Sequence, residues 1–167
     1  VFSGSCSKRI VPEGLVVEDI KTFDEDAFNY YYVEGIKQKL SGNPGEALKY
    51  FEECIKLNPE SDGSYYQIAQ ILVAGGDNNN AKVFLKKAVD LDENNGWYLL
   101  MLSGLYYQEQ DLDSAIIYYE KLVKADKDSE GHLLTLGNLY SESKRFEDAQ
   151  KVYEIFDAKY GVNENST

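Results

Sequence analysis

The feature that most constrains this chain is a repeat. Slid against itself by 34 residues, the sequence places Ala47 on Ala81, Ala115 and Ala149, with no insertion anywhere. Phe51 falls on Leu85, Tyr119 and Tyr153, and Cys54 on Ala88, Leu122 and Phe156. Upstream, Gly35 falls on Ala69, Ser103 and Gly137, and Tyr31 on Tyr65, Leu99 and Leu133. A fixed period of this kind means one small unit stacked on its own copies, because such a unit buries its apolar face only against a neighbour.

Each unit reads as two helices. The first carries a large–small–large set, as in Leu133, Leu136, Gly137 and Tyr140, and the small residue lets a neighbouring helix come close. Turns follow at Gly42-Asn43, Gly76-Asp77, Gln110-Asp111 and Lys144-Arg145, and three of the four supply Asn or Asp to cap the second helix. In "GNPGEALKYFEECIKLNP", residues 42–59, Pro44 suits a first helical position and Pro59 marks the exit. Ala47, Phe51, Cys54 and Ile55 then share one helical face. The fold class expected is all-α, a right-handed solenoid of helix–turn–helix units.

The pattern closely resembles the tetratricopeptide repeat family, with a small residue eighth, Ala twentieth, a large apolar residue twenty-fourth and often Pro thirty-second. Counted from Phe28, Asp62, Gly96 and Glu130, the units are residues 28–61, 62–95, 96–129 and 130–163. The eighth, twentieth and twenty-fourth slots hold Gly35, Ala47 and Phe51 in the first unit and Ala69, Ala81 and Leu85 in the second. They hold Ser103, Ala115 and Tyr119 in the third, and Gly137, Ala149 and Tyr153 in the fourth. Pro59 fills the last slot once; Glu93, Lys127 and Gly161 stand there later, a departure that concerns only the exit turn.

The ends of the stack are polar, as terminal repeats require. Glu34 and Gln38 stand where the later units carry Ile68, Leu102 and Leu136, and Leu72, Tyr106 and Tyr140. At the other end Asp157 and Lys159 replace Ile55 and Leu57, and burying such an unpaired charge under a fifth unit would cost several kcal/mol. Stacking is therefore expected to weaken after the fourth unit, leaving residues 164–167 as a polar tail. Residues 1–27 are an extension outside the repeats, either laid along the first helix over Tyr30 or Tyr31 or acting as a tether. The only Met is Met101, so a processed or excised piece is expected. "VFSGSCS" resembles the end of a bacterial lipoprotein signal, which implies lipidation at Cys6 and a place in the cell envelope as a periplasmic or outer-membrane lipoprotein. Ser3 stands where Leu is commonest in that family, and an ordinary chain boundary in a cytoplasmic protein is the competing reading.

Charge and composition exclude several functions. The net charge is −12 and no Lys/Arg run opposes it, so nucleic acid would be repelled. The sign suits a solvated acidic surface or a cationic partner. Two Cys make no disulfide framework, and Cys54 reads as a small core residue. A single His, His132, supplies no zinc pair and no evident triad base. The carboxylates spread over outer faces and turns instead of converging, so no enzyme activity, cofactor or metal is expected.

In the resembled family the first helices line a concave groove through slots two, five, nine and twelve. These slots bring forward Tyr32, Ile36, Tyr66, Gln70, Trp97, Leu100, Tyr107, Leu134 and Asn138 as partner-binding candidates. Counted whole, the lining has one cation, Lys39, and no carboxylate. Chaperone-binding members clamp a terminal carboxylate with Lys, Arg and Asn; here Tyr32 and Ile36, and Trp97 and Met101, occupy those slots, so no such ligand is expected. An extended peptide or amphipathic helix of a protein partner suits the groove better. The same aromatics would equally serve as core against the chain's own terminus or a second copy. An adaptor or sensor part of a longer protein is the alternative to a free-standing scaffold.

Overall fold

The computed structural model of the protein describes residues 23–127 and 129–161. Cys6, the rest of 1–22 and the tail 164–167 lie outside the described residues, and with them the lipid anchor and the segment expected over Tyr30 or Tyr31.

Eight helices and no strand occur among the described residues. They pair as α1 (Glu25–Leu40) with α2 (Pro44–Leu57), α3 (Asp62–Ala74) with α4 (Asn78–Leu91), α5 (Gly96–Gln108) with α6 (Leu112–Ala125), and α7 (Glu130–Glu142) with α8 (Phe146–Tyr160). Each helix packs on its neighbours in chain order, which makes a right-handed α-solenoid. The first helix starts at Glu25, ahead of the register counted from Phe28, because the Asp24 carboxylate accepts from the Ala27 amide and caps it there.

The repeated small residues are the contacts that close each pair. Ala47, Ala81 and Ala115 are fully buried, as are Phe51 and Leu85. At Gly35 an added Cβ would stand 2.9 Å from the Phe51 ring, and at Gly137 it would stand 2.5 Å from that of Tyr153. These two glycines let the helices of their hairpins touch. Cys54 is buried, with its Sγ 3.8 Å from the Phe28 carbonyl, and burial pushes the thiol up to about 11, so it is an inert core group.

The turns repeat a left-handed residue before each second helix: Gly42 and Gly76, then Gln110 and Lys144, both at φ 62°. Asp77 and Asp111 cap the next helix by accepting from Asn80 and Ser114. Asn43 does not cap; its Nδ2 donates to Gln38 instead, and Pro44 starts α2 without that bond. At the polar ends, Glu34 pairs with Lys37, while Asp157 is exposed and Lys159 donates to the Lys127 carbonyl.

Candidate functional site

The first helices of successive pairs are joined on one face by polar and aromatic contacts. Lys39 donates to the side-chain oxygens of Gln67 and Gln70, linking α1 to α3. The Tyr66 ring lies 4.7 Å from that of Tyr98, whose hydroxyl donates to Asp62 at 2.8 Å, linking α3 to α5. The Tyr107 hydroxyl donates to Glu142 at 3.1 Å, linking α5 to α7. Burial holds the Lys39 ammonium below its ordinary pKa, and burial and then the Asp62 bond raise the Tyr98 phenol. Tyr107 is raised by its bond to the Glu142 carboxylate.

This face divides into a closed half and an open half. On α1 and α3, Tyr32, Ile36, Tyr66 and Gln70 are all half-buried. Tyr32 packs against Phe28 and Phe51, and its hydroxyl stands over Gly63, while Ile36 joins the core of the first two hairpins. These side chains chiefly hold helices together. On α5 and α7, Trp97 is 72% exposed, and Leu100, Tyr107, Leu134 and Asn138 are also exposed.

Between α5 and α7 the open half deepens into a cleft of about 420 Å³. One wall is Leu100, Ser103, Gly104 and Tyr107; the other is Thr135, Asn138, Leu139 and Glu142, and Tyr119 of α6 also lines it. Of the nine predicted groove residues, the cleft takes Leu100, Tyr107 and Asn138; Leu134 and Trp97 stand outside it. Glu142 corrects the expectation of a lining without carboxylates. Counting from Gly96 and Glu130, the walls use slots five, eight, nine and twelve of α5 but six, nine, ten and thirteen of α7. The facing edges of two neighbouring helices differ by one position, whereas a single slot set follows one ridge on each helix.

A family model described as tetratricopeptide repeat matches residues 40–96 and 72–135. The tetratricopeptide repeat protein 36 homolog of Nematostella vectensis is 29% identical over 93 residues, which are 56% of this chain and 51% of that protein. The match thus spans about half the length of this curated relative. The crystal structure of MamA superposes with a TM-score of 0.67 at 19% identity, over 81% of this chain and 80% of that one. The first TPR of Spaghetti (RPAP3), bound to the HSP90 peptide SRMEEVD, superposes with a TM-score of 0.63 at 15% identity, over 72% and 96%.

Proposed function

Since the chain belongs to the tetratricopeptide repeat family, we propose that it is a non-catalytic protein-interaction scaffold whose inner face holds an extended peptide or a helix of a partner protein. The observation that carries this reading is the open half of that face. Trp97, Leu100, Tyr107 and Leu134 are between 37% and 72% exposed and flank a cleft large enough for side chains. Large rigid side chains left in water at low entropy cost are the usual anchors of protein recognition. The RPAP3 structure bound to a peptide offers a precedent for the fold. Its peptide is acidic, whereas the corresponding clamp slots here hold Tyr32, Ile36, Trp97 and Met101, none of them a cation.

The test is affinity capture from the native source with the wild-type chain beside a Trp97→Ala, Leu134→Ala double variant. Both side chains are exposed, so the variant keeps the helical circular dichroism of the wild type. A protein held by the wild type and lost by the variant supports the reading. Equal retention would move binding to another surface, and capture of the chain itself would replace a partner with self-association.

A further inference from the structure

We propose that the cleft between α5 and α7 anchors a lysine or arginine side chain of the partner, an inference that rests on the groove reading above. The space in the cleft, the direction of its hydroxyl protons and its charge together point to a guest that carries only hydrogen-bond donors and a positive charge.

The first is space. At Gly104 a Cβ would meet nothing within 4 Å, so this glycine answers no packing demand of the fold. The equivalent positions are Ile36, Gln70 and Asn138, all of which project side chains. The absent side chain at Gly104 is what leaves one wall of the cleft open.

The second is where the hydroxyl protons go. Ser103 donates to the Ala115 carbonyl at 2.8 Å and Thr135 to the Gly131 carbonyl at 2.8 Å. Tyr107 donates to Glu142 at 3.1 Å. Each hydroxyl has one proton, and each is already committed. These side chains therefore offer lone pairs to anything that enters. Asn138 receives the Tyr153 hydroxyl on Oδ1 at 2.8 Å and keeps capacity for a second donor there. The Tyr119 hydroxyl, on the cleft's α6 side, is shared with His132 Nδ1 at 3.2 Å, and the Asn138 amide carries protons beyond those already committed.

The third is charge. The nine lining residues contain one carboxylate, Glu142, and no Lys, Arg or His. Among the described residues the hydrogen-bond partner of that carboxylate is the neutral Tyr107 hydroxyl, on Oε1, and the chain as a whole carries −12. An acidic guest would meet like charge, and an aliphatic guest would leave the lone pairs unmatched. An ammonium or guanidinium has donors and no acceptors. It would pair with Glu142 beside the Tyr107 ring, where a cation also gains from the aromatic face.

The test uses a random-peptide library displayed on phage and selected on the whole chain, followed by synthesis of the enriched peptides. Their basic residues are replaced by citrulline or norleucine, and affinity is read by fluorescence anisotropy. The proteins are the wild type, Glu142→Gln and Gly104→Met, each checked by thermal unfolding. The expected result is one enriched Lys or Arg position whose neutral replacement weakens binding at least about tenfold on the wild type, the scale of a charged hydrogen bond. On Glu142→Gln the same replacement costs under about threefold, because the charge partner is gone. Gly104→Met fills the cleft, abolishes binding and leaves unfolding at or above the wild-type temperature. Enriched peptides without a basic position, yet lost on Gly104→Met, would overturn the basic anchor and leave the groove reading standing. Peptides indifferent to both variants, or no enriched peptide at all, would overturn both.

Discussion

The same substitution, Gly→Ala, is expected to act with opposite sign at two helical positions on neighbouring first helices. In a helix interior Ala is favoured over Gly by about 1 kcal/mol. At Gly104 nothing lies within 4 Å of the new methyl, so Gly104→Ala should stabilise by nearly that amount. At Gly137 the methyl would stand 2.5 Å from Tyr153 Cε1 and 2.8 Å from Cζ, about 1 Å inside normal carbon contact. The ring is also tied by its hydroxyl to Asn138 at 2.8 Å, so moving it costs that bond as well. Overpacking of this kind costs about 1–3 kcal/mol. Net of the helix gain, Gly137→Ala should destabilise by up to about 2 kcal/mol. Unit two carries the natural solution, Ala69 against Leu85, both fully buried. Gly137→Ala in a Tyr153→Leu background should therefore stabilise instead of destabilise, a change of sign that a double-mutant cycle reads directly. The assay is urea unfolding followed by helical circular dichroism, with midpoint and slope compared for all five proteins. If Gly137→Ala raised the midpoint as Gly104→Ala does, or if Tyr153→Leu left its effect unchanged, the close approach of α7 and α8 would not be what keeps glycine there.

Other consequences are simpler to read. Gln110 sits at φ 62°, where Gly42 and Gly76 stand in the earlier turns, so Gln110→Gly should raise stability by about 1 kcal/mol in the same unfolding assay. Asp77→Ala and Asp111→Ala each remove a cap and should cost about 1 kcal/mol, whereas Asn43→Ala, which loses no cap bond, should cost less. Alkali should destabilise the fold: burial and then the Glu120 bond push the Tyr140 phenol up to about 12, against about 10 for an unfolded tyrosine. Its contribution is complete below pH 10 and is lost as pH rises towards 12, since the unfolded chain gives up that proton first. Tyr98 is raised in the same direction, and stability measured across this window should fall less steeply in Tyr140→Phe.

The hairpins were legible because the contacts that close each of them are short in sequence. Phe51 against Gly35 and Tyr153 against Gly137 are both sixteen positions apart, within one hairpin, so the period of small and large residues records the packing. The Cys54 core position followed from the same pattern. The caps were legible at Asp77 and Asp111 but not at Asn43, whose amide finds Gln38 in the preceding helix. The candidate site was read along ridges, one slot set per helix. That choice caught Leu100, Tyr107 and Asn138. The same slots run through Gly104, but they missed Ser103, Thr135, Leu139 and Glu142, because a cleft is walled by the facing edges of two helices one position out of step. Glu142 could have been found by pairing slot twelve of one unit with slot thirteen of the next. Nothing local marks Tyr32 or Tyr66 as helix-joining groups; their neighbours Gly63 and Tyr98 belong to the next unit.

A partner seated against the open half of the inner face would lie within reach of its exposed side chains and away from the second helices. A photo-reactive phenylalanine analogue placed singly at Trp97, Tyr107, Val83 or Ile117 tests this placement most directly, since all four positions are exposed but only the first two border the open half. The same partner is expected to cross-link from positions 97 and 107 and not from 83 or 117 on the second helices. Cross-links confined to positions 83 and 117 would contradict it and place recognition on the outer surface.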